Sequence, residues 1–265
     1  MDYKEYVKSQ VSEEDWKKLQ KLDVVLDSVI YAKLWPRYVD LEKRRTTEVP
    51  FLLSHLSEYA SPVIFNAALG SGATTIGLKC AGIDDIVSNE LDENYAQVAQ
   101  EEAEKYGISL NLTAYDWRAI PSKYDEAFDA AVCLGNSLTC LFKREDQLAA
   151  LKNFRRILKP NGKLIIDERN YEQILNKTEF KHSGHVVYCG DDVSVSFVDR
   201  SDSMIVVEYK TTDGLKAHYP VYPFKRGELE SLLREAGFRE ITPFGDYKPD
   251  FKPEETEFIT YVCRK

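Results

Sequence analysis

Val63-Ile64-Phe65-Asn66-Ala67-Ala68-Leu69-Gly70-Ser71-Gly72 is the stretch that decides the fold. An apolar run introduced by Ser61-Pro62 stops at Asn66 and gives way to a Gly70-x-Gly72 turn, and helical spacing resumes over 74–81. This reads as a buried strand feeding a glycine turn and a helix. Downstream, strands are expected over 85–89, 110–114, 128–134 and 163–167, with helices over 93–106 and 144–158. Such alternation predicts an α/β fold, a parallel sheet with helices on both faces. Ligands of open α/β sheets sit beyond the carboxyl ends of the strands, where glycines let the backbone approach them.

Upstream of that stretch, Ser12 followed by Asp15 predicts a capped helix start, and apolar spacing runs on through Trp16, Leu19, Leu22, Val25, Leu26, Val29 and Ile30. One helix over 12–34 and another over 43–59 follow, as an N-terminal cover. Beyond Tyr171 the period becomes two, over 186–189, 193–198, 204–210 and 215–224, broken at Gly190-Asp191 and Asp213-Gly214. That pattern predicts an inserted antiparallel subdomain. A helix over 226–237 and strands over 241–245 and 257–264 close the chain. The expected domains are a cover at 1–60, a core at 61–171 and 226–265, and an insertion at 172–225.

The balance of 35 Lys+Arg against 44 Asp+Glu gives a net charge of −9, which opposes binding to nucleic acid, and Lys43-Arg44-Arg45 is too short a basic run to override it. The opening MDYKEYVKSQ has no apolar leader segment and no stretch approaches a membrane span, so a cytoplasmic protein with no membrane partner is expected. Five scattered cysteines without a C-x-x-C pair suggest no disulfide framework, and four histidines without metal-ligand spacing suggest no metal. Cys80, Cys133, Cys189 and Cys263 are expected in the core; Cys140 stands apart because it follows Asn136 closely.

Each strand end carries a candidate ligand. Gly70-x-Gly72 admits a nucleotide or is simply a tight turn; Thr75, where a dinucleotide dehydrogenase would carry its third glycine, disfavours a nicotinamide cofactor. Glu90, followed by Leu91, could accept both hydroxyls of a ribose, or belong to a surface acid cluster with Asp92 and Glu93. Asp116-Trp117 could meet an adenine through carboxylate and indole, the other reading being a packed core tryptophan. Leu134-Gly135-Asn136-Ser137 and Asp167-Glu168-Arg169-Asn170-Tyr171 bring an amide and a guanidinium toward one small amino-acid substrate. For Arg169 the competing reading is an ion pair with Asp167 or Glu168, and for Asn136 a strand-end turn.

From about Trp35 to the C-terminus these motifs, with Lys159-Pro160-Asn161-Gly162, Tyr188-Cys189-Gly190-Asp191 and Gly245-Asp246-Tyr247, resemble the class I S-adenosylmethionine-dependent methyltransferases. More narrowly, the sequence is similar to the glycine and glycine/sarcosine N-methyltransferases. The resemblance implies a Rossmann-like seven-stranded sheet with one reversed strand, S-adenosylmethionine as methyl donor and S-adenosylhomocysteine as product. It implies cofactor contacts from Trp35, Arg45, Ala68, Gly70, Glu90, Leu91, Asp116, Trp117 and Leu134, with Arg45 toward the methionine carboxylate. Asn136 and Arg169 match the positions that hold the amino acid, and Tyr38, Tyr188 and one of Tyr222 or Tyr247 would complete the pocket.

The implied activity is methylation of glycine and sarcosine in betaine synthesis, by a monomer or homo-oligomer. The alternatives are a sarcosine/dimethylglycine or other small-molecule methyltransferase and, from another class, a non-catalytic S-adenosylmethionine-binding regulator. Three positions depart from the family pattern: Asn66 replaces the usual acid, Leu69 a small residue, and Leu26 a tyrosine.

Overall fold

The computed structural model describes residues 2–176 and 192–265. Its centre is β1 (Ile64–Asn66), flanked in parallel by β2 (Ile86–Asn89) and β4 (Phe128–Cys133). With β3 (Asn111–Thr113), β5 (Leu158–Arg169), β9 (Arg239–Gly245) and β10 (Phe258–Arg264) the sheet has seven strands in the order β3-β2-β1-β4-β5-β10-β9. Only β10 runs against its neighbours, pairing Phe258 with Arg169 and Tyr261 with Ile166. The expected parallel sheet with one reversed strand is therefore present.

Alternate residues of the central strands feed two apolar layers, as the pleat requires. Phe65, Ala131, Cys133, Leu164 and Ile166 pack toward α8 (Arg144–Ile157) and α10 (Glu228–Glu235). Ile64, Val132, Ile165 and Val262 pack toward α5 (Glu48–Leu56) and α6 (Ala73–Cys80). Between these lie α7 (Glu93–Glu104), and after β5 the short α9 (Tyr171–Asn176). No helix among the described residues is long and apolar enough to cross a membrane.

The inserted subdomain is a three-stranded antiparallel sheet of β6 (Val193–Arg200), β7 (Ile205–Thr211) and β8 (Lys216–Val221). The strand expected over 186–189, with the turn Gly190-Asp191, lies outside the described residues. Two readings of the cover need correction. The helix expected over 12–34 is two, α2 (Glu13–Lys21) and α3 (Ser28–Tyr38), and α1 (Tyr3–Gln10) precedes them. Asp23 takes a left-handed φ of 50°, and the Asp27 side chain caps α3 by accepting from the amides of Val29 and Ile30. The Ser12 cap behaves as expected, accepting from the Asp15 amide at 3.1 Å.

The helix expected over 43–59 is likewise split into α4 (Leu41–Thr46) and α5. Pro50 has no N–H to give the Thr46 carbonyl, so the ladder is interrupted there. Of the cysteines, Cys133 and Cys263 are buried as expected, but Cys80, the last residue of α6, is exposed.

One buried acid gives this fold a pH signature. Glu168 is 3% exposed; the Tyr261 hydroxyl donates to its Oε1 at 2.9 Å and no group among the described residues pairs with Oε2. Burial pushes its carboxyl up to about 8. The native state thus holds this proton more tightly than the unfolded chain, so the contribution of Glu168 to stability is complete below the ordinary carboxyl range and falls as pH rises toward 8. Glu168→Gln, neutral at every pH, is expected to melt above the wild type at pH 8.5 by about 2 °C or more, with that gap narrowing at pH 5, in calorimetric scans.

Candidate active site

The turn after β1 is built without a charge. Asn66, 1% exposed, donates from Nδ2 to Thr75 Oγ1 at 2.9 Å and accepts from the Ala68 amide at 3.2 Å, and Thr75 Oγ1 lies 2.9 Å from Ser88 Oγ. Gly70 and Gly72 have φ of 55° and 88°, the region that favours glycine. A Cβ on Gly70 would stand 3.5 Å from Trp35 Nε1, and one on Gly72 would crowd Ile76 and Ala99 at 3.1 and 3.3 Å. The turn is therefore packed closely against Trp35, Ile76 and Ala99 where α6 begins.

Glu90, at the end of β2, ties this turn to the next one: its Oε2 accepts from the Gly70 amide at 2.9 Å and its Oε1 from the Asp92 amide at 3.1 Å. Burial pushes its carboxyl up to about 7 against the pull of those amides. Beyond β3, the Trp117 indole donates to the Ala67 carbonyl at 2.8 Å, and Asp116 is gripped by Arg118, which holds its carboxyl below the ordinary range. Ala68, Glu90, Leu91, Asp116 and Trp117 line one cavity, as the sequence anticipates for a nucleotide site.

A second cluster gathers where β4 and β5 end. Asp167, pushed up to about 6 by burial, accepts from the amides of Gly135 and Asn136 at 3.0 and 2.6 Å. Asn136, left-handed at φ 65°, accepts from the Arg169 amide at 2.9 Å and donates to Thr139 Oγ1 and the Tyr171 hydroxyl. Arg169 is buried; it donates to Glu257 Oε1 at 3.0 Å and to the Tyr38 hydroxyl at 3.3 Å, and its guanidinium lies 4.7 Å from the Phe258 ring centre. Among the described residues its carboxylate partner is thus Glu257, not Asp167 or Glu168. Leu134 is buried at the end of β4, and Tyr188 lies outside the described residues.

An aromatic wall joins the two clusters. Tyr31 stacks on Trp35 and on Tyr219, at 5.4 and 5.0 Å between ring centres, and Tyr209 meets Trp35 and Tyr38 edge-on at 5.8 and 5.0 Å. Sequence reasoning finds Trp35 and Tyr38 of this wall, which are not among the residues lining the cavity, and singles out Cys140, which is; it misses the lining residues Tyr3 and Tyr6 of α1, Tyr31, Tyr95 and Tyr219. Tyr3 and Tyr6 sit three apart on one helix, a signal that was available once that helix was recognised. Cys140 Sγ lies 2.6 Å from the Tyr219 hydroxyl, and burial pushes its thiol up to about 11.

The two arginines of α4 separate. Arg45 is partly exposed and pairs with Glu42 at 3.0 Å, whereas Arg44 is buried and donates to Thr74 Oγ1, the second residue of α6, at 3.0 Å. Arg44 rather than Arg45 therefore stands beside the glycine turn. Glu48, fully buried, holds it at 3.5 Å while accepting from Thr74 Oγ1 at 2.7 Å and the Tyr247 hydroxyl at 3.2 Å. Tyr222 instead donates to Glu228 at 2.7 Å.

Removing one partner of a buried, hydrogen-bonded ion pair leaves the other charge uncompensated. Glu48→Ala is expected to cost about 3 to 5 kcal/mol in urea unfolding, and Glu48→Gln less, because the amide oxygen still accepts from Thr74 at the Oε1 position.

Residues 64–162 match the family model of a methyltransferase domain. The chain is 34% identical over 232 residues to the glycine/sarcosine N-methyltransferase of Parasynechococcus marenigrum strain WH8102, covering 87% of this chain and 81% of that one. It is 32% identical to the enzyme of the same name from Aphanothece halophytica, covering 89% and 88%. The crystal structure of an S-adenosylmethionine-dependent methyltransferase from Clostridium acetobutylicum superposes with a TM-score of 0.68 at 20% identity, covering 89% of this chain and 96% of that one, which is a likeness of fold. With its glycine turn after β1, its acid after β2, its reversed β10 and these relatives over most of its length, the chain belongs to the glycine/sarcosine N-methyltransferase family.

Proposed function

We propose that the protein methylates glycine and sarcosine on nitrogen, yielding sarcosine and dimethylglycine, with S-adenosylmethionine as donor. The observation that carries this reading is the junction of two sites through one aromatic wall: a cavity with Glu90 and Asp116-Trp117 on one side, and the buried Arg169 guanidinium on the other. The residues suit such a donor. Ala67 and Ala68 put the start of the glycine turn on the cavity, Glu90 presents a carboxylate to ribose hydroxyls, Trp117 offers a flat face, and a sulfonium cation is favoured beside tyrosine and tryptophan rings.

When bound, the donor supplies an activated methyl group, and the chain's task is positioning. Arg169, oriented by Glu257, Tyr38 and Phe258, takes the acceptor's carboxylate through its planar fork. Both ends of the Asn136 amide are engaged within the fold, so in this reading Asn136 acts through the Arg169 backbone. Arg44 rather than Arg45 takes the methionine carboxylate. Trp35, Ala68, Gly70, Leu91 and Leu134 complete the donor side, and Tyr38 with Tyr188 the acceptor side. Holding the amine in line with the methyl supplies up to roughly 7 to 11 kcal/mol of barrier lowering, so no strong general base is needed for a neutral amine.

In this reading residues 1–60 cover the site, 61–171 and 226–265 hold the donor, and 172–225 face the acceptor. Dimethylglycine is one methyl short of betaine, and we assign the protein to cytoplasmic synthesis of that osmolyte. Neighbouring acceptors differ by single methyls, worth only about 1 to 3 kcal/mol each, so product identity is the decisive measurement.

Purified protein incubated with S-adenosylmethionine and each of glycine, sarcosine and dimethylglycine is expected to add methyl groups to the first two, as read by mass. Donor binding without any methylated product would support a regulator instead. Arg169→Lys keeps the charge but loses the fork, and is expected to raise KM for glycine more than about tenfold; an unchanged KM removes Arg169 from the acceptor site.

A further inference from the structure

Asp116 faces the cavity, yet most of its accepting capacity is spent inside the fold. Its Oδ1 accepts from the Arg118 amide at 2.8 Å and from Arg118 Nε at 2.9 Å, and its Oδ2 accepts from Arg118 Nη2 at 2.5 Å. A carboxylate has about four lone-pair sites, so these three bonds leave about one, on Oδ2. The guanidinium does not float: its Nη1 donates to Asp146 Oδ2 in the first turn of α8 at 3.0 Å. The neighbouring residue is anchored to the same helix, since Asn153 Nδ2 donates to the Trp117 carbonyl at 2.9 Å.

We infer that Arg118 is a positioning residue for base recognition: anchored on α8 by Asp146, it locks Asp116 so that one acceptor on Oδ2 faces the cavity, where it selects a purine bearing an exocyclic amino group. The inference rests on the reading of the cavity as a donor site and adds what sets its choice of base. Two features favour it over a plain surface ion pair. The contact is a planar fork rather than a point contact, which fixes rotation of the carboxylate as well as its charge. The pairing also keeps Asp116 ionised, and therefore acceptor-only, in a cavity whose lining includes the rings of Tyr6, Tyr115 and Trp117. An oxo group at the same position of the purine would meet this anion lone pair to lone pair.

The test is binding of two ligands by calorimetry: S-adenosyl-L-homocysteine, and S-inosyl-L-homocysteine, which carries an oxo group in place of the amino group. The wild type is expected to prefer the adenosyl ligand by about tenfold to a hundredfold, the worth of a hydrogen bond to a charged group. In Arg118→Gln that preference collapses chiefly through weaker adenosyl binding. Arg118→Lys, which keeps the charge without the fork, restores little of it, and Asp146→Asn, which frees the anchor, lowers it in part.

Equal weakening of both ligands in Arg118→Gln, with the preference intact, is the signature of a structural role and overturns the inference alone, as does a wild type with no preference. A wild type that binds neither ligand overturns the donor reading and this inference with it. Should Arg118→Gln lose its cooperative thermal transition, Arg118→Lys and Asp146→Asn decide the matter by the same ratio.

Discussion

A single buried carboxylate organises the working end of this sheet. Asp167 receives the amides of Gly135 and Asn136, two consecutive residues with φ of 81° and 65°. Two left-handed residues in succession are costly unless neighbouring structure over-determines them, and the paired hydrogen bonds do so. With the end of β4 fixed against β5, the Asn136 amide meets the Arg169 amide, Thr139 and Tyr171 together. Arg169 then emerges toward Glu257 and Tyr38 instead of pairing with the acids beside it in sequence. The geometry of the guanidinium is thus inherited from a turn 33 residues earlier in the chain.

Much of the core could be read directly from sequence because its signals are local. Strand β1 is a short apolar run ended by a glycine turn, and α8 and α10 carry their apolar residues on one face, so pattern and burial agree. The site was readable to the extent that it lies at strand ends: Glu90, Asp116 and Trp117 are where the α/β topology puts ligands. What escaped was decided by contacts distant in sequence. The partner of Arg169 is Glu257, 88 residues on, and no spacing rule singles it out. The choice between Arg44 and Arg45 depends on which side of a short helix faces Thr74, and that is set by the buried Glu48.

The cover illustrates the same limit from the other side. Apolar spacing over 12–34 is real, but an Asp in the left-handed region and a capping Asp break it, and local periodicity does not register breaks of that kind. The break is useful to the molecule. It lets α1 and α2 lay Val7, Val11 and Leu19 against Met204 and Val206 of the inserted sheet, while α3 sends Tyr31 to the cavity and Trp35 and Tyr38 into the aromatic wall behind it. Arg37, on the same helix, reaches Asp192 and Asp213 at the other end of that sheet.

The segment between α2 and α3 does something more for β8. His218 donates its amide to the Val25 carbonyl at 2.9 Å, and Val25 returns a bond to His218 Nδ1 at the same distance. Two residues on, Pro220 has no amide hydrogen to leave exposed, and two further on the Tyr222 amide is taken by the Thr139 carbonyl at 2.9 Å. His218, Pro220 and Tyr222 are therefore each satisfied or silenced along that outer rim. A terminal strand with open donors is a template for another chain's backbone, and at these three positions of the β8 edge the template is blanked off by the chain's own cover and by the turn after β4.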